Sequence, residues 1–101
     1  MQRCGRALNQ PLAIRHEPEA RRFAADVGGN TAYLSYRELD RRMIDLDHTF
    51  VPREHRGGGI ASQLTVRALD YARERGYRVV PGCPFVAAYI ERHPEYGDLR
   101  A

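Results

Sequence analysis

The sequence contains no lysine, because all 16 of its basic residues are arginine. No lysine side chain can therefore act as a general base or be acylated within this chain. Two interpretations of the arginine content remain open. One is a solvated charged surface that follows from coding bias, and the other is phosphate recognition by guanidinium groups.

Long apolar runs are absent from the sequence, and cysteine is scarce. A membrane-spanning helix needs about 20 apolar residues, and no such run is present. The first 14 residues contain no apolar segment of the kind found in secretory signals. The two cysteines, Cys4 and Cys83, are too few for a disulfide framework. We therefore expect a reducing, cytoplasmic environment with Cys83 as a free thiol and no membrane association.

The remaining composition is that of a small globular protein. The 101 residues are 43% hydrophobic and 29% charged, with a net charge of +3, which fits one domain. Arginines are dispersed among acidic residues and no recognition motif is present, so nucleic acid is not an expected partner. We predict a flexible N-terminus over residues 1–12 and a single domain over residues 13–101.

The first half of the chain has the short alternating segments typical of β-strands. A hairpin turn is predicted at Gly28-Gly29-Asn30, because glycine and asparagine accept positive φ. Strands are predicted at 14–17, 22–27, 31–37 and 42–51.

The segment 42–51 has the clearest period of two, and Pro52 ends it. Its alternation places two sets of side chains on opposite faces of the strand. One set is Ile44, Leu46, His48 and Phe50, and the other is Asp45, Asp47 and Thr49. We expect the two aspartates to pair with nearby arginines.

The second half of the chain has helical periodicity. Apolar residues at spacings of three and four predict a helix over 60–75, and Gly76 supplies its C-terminal cap. A short strand is predicted at 78–80, and Pro84 begins a second helix that ends near residue 93. This order predicts an α/β (α+β) fold: a mixed, mostly antiparallel sheet of about five strands with two C-terminal helices. The last two strands are predicted to be parallel.

A glycine-rich turn, REHRGGGIA at 53–61, lies between the strand and the first helix. Successive glycines can direct backbone N–H groups to one side, and a helix N-terminus adds unpaired N–H groups and a positive dipole end. This pattern predicts a phosphate or pyrophosphate site with Arg53 and Arg56 at its rim. No Lys-Ser/Thr pair follows, as a Walker A loop requires, and Ser62 replaces the third glycine of a dinucleotide fingerprint. The alternative is a flexible linker.

The pattern Arg56-x-x-Gly59-x-Ala61 resembles the R/Q-x-x-G-x-G/A motif of the Gcn5-related N-acetyltransferases. Three further segments resemble the small, shortened members of that family: IDLDHT at 44–49, CPFVxxYI at 83–90 and HPEY at 93–96. The resemblance covers about two-thirds of the chain.

The resemblance implies a minimal acetyltransferase fold that uses acetyl-CoA, or CoA, without a metal. It implies acetyl transfer to an amine that the sequence does not identify and that can belong to a protein. Pyrophosphate is expected on the amides of residues 57–61, and pantetheine where the strand 42–51 diverges from 78–80. The residues predicted to bind the cofactor are Thr49, Val51, Arg53, Arg56, Gly57, Gly58, Gly59, Ile60, Ala61 and Tyr89.

The sequence departs from the family pattern in two places. Full-length members form their acceptor pocket from helices between the first two strands, and residues 17–22 are too short to contain them. An open acceptor side is therefore expected. The position at which many members have a tyrosine that protonates the CoA thiolate is occupied by Ile90, with Tyr89 beside it.

His48 and Cys83 are the predicted catalytic residues. Histidine ionises near neutral pH and is the natural base for an acceptor amine. A helix N-terminus favours the thiolate form of a cysteine, so Cys83 can take the acetyl group itself in a two-step route. The alternatives are a histidine packed on its strand, an inert thiol, and a non-catalytic module that carries or senses CoA.

Overall fold

The computed structural model describes residues 13–39 and 42–101, so the predicted N-terminal segment 1–12 lies outside the described residues. One five-stranded sheet has the order β1-β2-β3-β4-β5. Neighbouring strands from β1 to β4 are antiparallel, whereas β4 and β5 are parallel. The predicted fold class and the parallel crossover are thus confirmed. The strands are β1 Arg15–Glu17, β2 Arg22–Val27, β3 Asn30–Glu38, β4 Met43–Phe50 and β5 Arg78–Val80.

Two α-helices follow the predicted boundaries closely. Helix α1 spans Ile60–Arg75 and α2 spans Pro84–Arg92. Short 3₁₀ segments at Arg53–His55 and Pro94–Leu99 were not predicted. No helix within 13–39 and 42–101 combines the length and apolar character that crossing a bilayer requires.

Helix α1 covers one face of the sheet and encloses the core. Its apolar positions recur every three or four residues, and they pack on the inward-facing residues of β2, β3 and β4. The largest fully buried aliphatic and aromatic side chains are Phe23, Leu34, Ile44, Leu46, Leu64, Leu69, Val79 and Val86.

The other face of the sheet carries ion pairs. Arg37 donates to Asp45 at 3.0 Å and lies 3.6 Å from Asp47, which confirms the expected pairing of both aspartates with arginine. Glu17 similarly accepts from Arg15 and Arg22. The partly exposed pairs of Glu17 contribute little to stability, so their main effect is to keep this face polar, whereas Asp45 is buried and its pair with Arg37 holds the carboxylate in place.

A β-bulge interrupts the alternation of β4. Tyr36 of β3 pairs with Leu46, but the preceding residue Ser35 pairs with His48, so Asp47 is an extra residue in β4. An extra residue shifts the period of two by one, and every later side chain changes face. Leu46 is buried and His48 is exposed.

The bulge overturns one prediction from the sequence. His48 and Phe50 do not share the face of Ile44 and Leu46, and the interpretation of His48 as a packed strand residue is wrong. Both rings lie beside Tyr33 on the polar face, with centroid distances of 6.0 Å for His48 and 5.6 Å for Phe50.

A half-buried histidine joins β1 to the core. The His16 ring stacks on Phe23 with centroids 4.4 Å apart, and its Nε2 lies 2.6 Å from the Tyr36 hydroxyl. Burial, together with the nearby cations Arg67 and Arg75, lowers the pKa of His16. Burial also raises the pKa of Tyr36 to about 12, so the phenol keeps its proton and can donate it to the neutral imidazole.

The His16 environment predicts a pH-dependent stability. Folding lowers the pKa of His16, so the folded protein favours the neutral ring. The resulting stability is fully present above the pKa of the unfolded state, which is about 6.5 for histidine. It is lost as the pH falls through the folded pKa. We expect the free energy of unfolding to decrease between pH 7.5 and pH 5. The His16→Gln variant, which retains a hydrogen-bonding side chain, should lose less over that range.

Chemical denaturation at several pH values measures this difference. His48→Gln, a substitution at an exposed strand position, is the matched control and should keep the wild-type pH slope. An unchanged slope in His16→Gln would show that His16 is not the titrating group.

Candidate active site

The site begins where β4 and β5 separate. Their parallel pairing ends at Asp45 opposite Val80, and one more backbone contact follows, from the Cys83 N–H to the Leu46 carbonyl at 2.8 Å. Beyond it, β4 continues beside β3, and no strand among residues 13–39 and 42–101 pairs with its other edge. Cys83 therefore lies at the vertex of an open cleft.

Gly82 makes the close approach that fixes this vertex. Its N–H donates to Asp45 Oδ1 at 3.1 Å, and a Cβ at this position would collide with the same carboxylate oxygen. Asp45 is buried and is held from the other side by Arg37, so it has little room to move. A residue with a Cβ at this position would have to displace the Asp45 carboxylate, so glycine is favoured here.

We expect Gly82→Ala to lower the free energy of unfolding by about 1–3 kcal/mol, as for other overpacked positions. The control is Gly97→Ala, because a Cβ at Gly97 meets nothing within 4 Å. Urea denaturation measures both variants. The cost of Gly82→Ala should shrink in an Asp45→Ala background, and an equal cost in both backgrounds would contradict the assigned collision.

The glycine turn has the geometry of an anion site. Gly57 and Gly59 have φ of 87° and 86°, in the left-handed region that favours glycine. Gly59 is the N-cap of α1 and provides no side-chain cap, so the first-turn N–H groups keep their capacity for a ligand. Arg56 Nε donates to the Val51 carbonyl at 3.0 Å, which ties the turn to the end of β4.

An open groove of about 620 Å³ joins the turn to the cleft between the strands. This volume is in the range of small-molecule sites. Most of the residues predicted from the sequence line it together: His48, Thr49, Val51, Arg56, Gly57, Gly59, Ile60, Ala61 and Cys83. Arg53, Gly58 and Tyr89 are not among its lining residues.

Four lining residues were missed by the sequence analysis: Phe50, His55, Ser62 and Phe85. Phe50 follows the bulge, which moves it to the polar face of the sheet, away from the face that the alternation predicted for it. Ser62 and Phe85 lie in the first turns of α1 and α2, and their position at helix N-termini was a usable signal. His55 directly precedes the motif residue Arg56, and only Arg56 was assigned a role from the sequence.

Cys83 is buried but borders the groove. Its exposed fraction is 6%, and its Sγ lies 3.4 Å from Thr49 Oγ1, so either atom can donate. The bulge turns Thr49 to the same side as its partner Leu34, towards Cys83. As predicted, Cys83 is the N-cap of α2, with Pro84 as the first helical residue.

Tyr89 lies in a second groove on the exposed side of α1. Its ring stacks on His93 with centroids 3.9 Å apart and planes 13° apart. Burial raises the pKa of Tyr89, with smaller contributions from Glu95 and Asp70. Within the described part of the chain, no group of three or more His, Cys, Asp or Glu side chains is placed to hold a metal ion.

Comparison with known proteins identifies the family to which this architecture belongs. The family model for GCN5-related N-acetyltransferases matches residues 22–99, which include the bulge, the glycine turn and Cys83. The chain belongs to this acetyltransferase family. The family implies acetyl-CoA as the acyl donor, and the fold provides a groove with the glycine turn at one end.

Individual relatives are similar over nearly the whole chain. Protein NATD1 of Mus musculus is 34% identical over 92 residues, which cover 87% of this chain and 84% of the mouse protein. Protein NATD1 of Homo sapiens is also 34% identical over 92 residues, with 87% and 81% covered. The NMR structure of a GCN5-like protein of the N-acetyltransferase type from Staphylococcus aureus is 28% identical. It has a TM-score of 0.72, with 90% of this chain and 89% of that chain covered.

Proposed function

We propose that the protein transfers an acetyl group from acetyl-CoA to an amine. The observation that carries this proposal is the groove, which runs from the glycine turn at the α1 N-terminus to Cys83 and His48. The turn supplies recognition of a pyrophosphate, and the far end supplies a thiol and an imidazole. Acetyl-CoA has a pyrophosphate and a thioester at corresponding ends of its pantetheine arm.

The binding step follows from the backbone. Pyrophosphate accepts hydrogen bonds from the first-turn amides of α1, where the helix dipole is positive. The pantetheine arm lies along the unpaired edge of β4 and adds to the sheet in the manner of a short strand. This arrangement leaves the thioester beside Thr49 and Cys83.

His48 is the proposed base for the acceptor amine. The bulge places it on the polar face of the sheet while it still lines the groove, so it is accessible from the side opposite α1. Residues 18–21 form only a short turn between β1 and β2, and an acceptor can reach this face without passing a covering helix. A neutral imidazole there can remove the proton that the amine loses on attack.

Cys83 is the proposed acetyl carrier. Its Sγ attacks the thioester carbonyl, a new carbon–sulfur bond forms, and the bond to the CoA sulfur breaks. The thiol proton passes to the departing CoA sulfur, directly or through Thr49 Oγ1. The acceptor amine then attacks the acetyl-cysteine and loses its proton to His48, the bond between the carbonyl carbon and Cys83 Sγ breaks, and the proton passes from His48 to Sγ to restore the thiol.

The second candidate function is a module that binds acetyl-CoA without efficient transfer. The short turn between β1 and β2 favours it, because it leaves the acceptor side without a pocket. A small amine then has few contacts that orient it, and transfer needs a partner that supplies the missing surface.

Amine-dependent turnover distinguishes the two functions. The protein is incubated with acetyl-CoA and a series of primary amines, from small diamines to peptides, while free CoA thiol and acetylated amine are measured. Transfer predicts CoA release that depends on the amine and falls at least tenfold in His48→Gln, with unchanged acetyl-CoA affinity. Binding without release in the presence of any amine would support the module instead.

A further inference from the structure

His55 connects the glycine turn to the hairpin between β2 and β3. It is the last residue of the 3₁₀ segment Arg53–His55, which directly precedes the glycines, and it lines the groove that joins the turn to the cleft. A Cβ built on Gly28 of the hairpin would lie 2.7 Å from His55 Nε2 and 3.1 Å from Cε1. The edge of the imidazole therefore packs on the Gly28 backbone, in space that a side chain at that position would fill.

The hairpin is well anchored where His55 meets it. Val27, the last residue of β2, packs against the core. On the other face of the strand, Asp26 accepts hydrogen bonds from Thr31 at 3.1 Å and from Arg15 at 3.3 Å. The sheet thus fixes the position of Gly28, and the ring in contact with Gly28 is held at a defined place.

The glycine turn has little side-chain support of its own. A Cβ at Gly57 or at Gly59 would meet nothing within 4 Å, and glycine has more conformational freedom to lose than any other residue. Ordering such a turn on a ligand weakens binding. Arg56 ties the turn to the Val51 carbonyl at the end of β4, and the contact of His55 supplies a second tie, to a different pair of strands.

We propose that His55 is a positioning residue, whose contact with Gly28 holds the glycine turn in the conformation that binds the pyrophosphate of acetyl-CoA. This inference rests on the proposed function, because it concerns the same donor site. His55 acts through the backbone of the turn, whereas the thioester reacts at the other end of the groove. It therefore contributes to the affinity for acetyl-CoA and leaves the rate of the transfer step unchanged.

The test is a double-mutant cycle between His55 and Gly28, measured by calorimetric titration of the full chain with CoA. We expect His55→Ala to weaken CoA binding about fivefold, and Gly28→Ala to weaken it similarly because its methyl group displaces the ring. The double variant should bind no more weakly than His55→Ala, since the ring that the methyl group would displace is gone. In amine-dependent turnover, His55→Ala should raise the KM for acetyl-CoA about fivefold and leave kcat unchanged.

Gly29→Ala is the matched control for backbone strain. Gly28 and Gly29 both have a left-handed φ, of 57° and 83°, but a Cβ at Gly29 would meet nothing within 4 Å. Gly29→Ala should therefore lose stability in urea denaturation as Gly28→Ala does, yet bind CoA like the wild type.

Three results would overturn the positioning role and leave the proposed function intact. These are unchanged CoA affinity in His55→Ala, an equal loss of affinity in Gly28→Ala and Gly29→Ala, and independent losses that multiply in the double variant. A fall in kcat without a rise in KM in His55→Ala would also contradict it. Failure of the wild type to bind CoA would overturn both this inference and the proposed function.

Discussion

Cys83→Ala is expected to abolish the acetylated form of the protein and to lower amine acetylation at least 100-fold. Cys83 is the only cysteine among the described residues, and it lies at the vertex of the cleft with Thr49 Oγ1 at 3.4 Å. If it carries the acetyl group, alanine leaves no nucleophile at that position. Intact-mass analysis after incubation with acetyl-CoA measures the adduct directly.

Two further variants test the same assignment. Cys4→Ala removes the other cysteine of the chain and should leave the adduct unchanged. Cys83→Ser keeps the shape of the side chain and should bind acetyl-CoA normally while forming no thioester. Amine acetylation that continues at the wild-type rate in Cys83→Ala would show direct transfer and would exclude Cys83 as the carrier.

The second large effect is expected from Gly58→Asp. Gly58 lies between the two left-handed glycines of the turn and does not itself have a positive φ. An aspartate here places a carboxylate in the turn that is proposed to bind the pyrophosphate. Two like charges about 4 Å apart near a protein surface repel by up to about 4 kcal/mol. We therefore expect acetyl-CoA to bind roughly 100-fold more weakly.

Gly58→Asn is the isosteric control for this charge. It should reduce affinity much less than aspartate, because it adds the same volume without the negative charge. Gly29→Asp places the same carboxylate in the β2–β3 hairpin turn, outside the groove, and should leave binding unchanged. Calorimetric titration compares all three. An equal loss of acetyl-CoA affinity in Gly58→Asp and Gly58→Asn would show that the turn is sensitive to side-chain volume and does not recognise an anion.

The elements that the sequence predicted well are those set by local chemistry. The glycine turn, the start of α2 at Pro84 and the cap at Gly76 each depend on the φ and hydrogen-bonding preferences of a few adjacent residues. The same is true of α1, whose apolar spacing is long enough to be unambiguous. These elements place Cys83 and the glycine turn, so the lining of the first groove was largely predictable.

The bulge in β4 was not predictable in this way. Ile44, Leu46, His48 and Phe50 alternate without interruption in the sequence, and Asp47 becomes the extra residue only through its pairing with β3. The pairing of β4 with β3, and not the sequence of β4 alone, determines the sheet face on which His48 lies. Its position on the polar face, the proposed acceptor side, therefore required the structure.

The second groove also depends on tertiary packing. Tyr89 belongs to α2, whereas Ser62, Arg67 and Asp70 belong to α1, and only the packing of these helices brings them to one groove. Tyr89 is predicted to bind the cofactor through resemblance to the family. The structure places Tyr89 beside Arg67 and Asp70 in the second groove, and its role in cofactor binding stays a prediction.

Thermal unfolding with and without acetyl-CoA tests the central claim most directly, since the groove is proposed to bind this ligand in the folded state only. At about 100 times its dissociation constant, a ligand adds about 2.7 kcal/mol of stability. For a domain of this size, this corresponds to an increase in melting temperature of about 10 °C or more. Such an increase with acetyl-CoA, and its loss in Gly58→Asp, is the predicted result. An unchanged melting temperature at saturating acetyl-CoA would contradict the account.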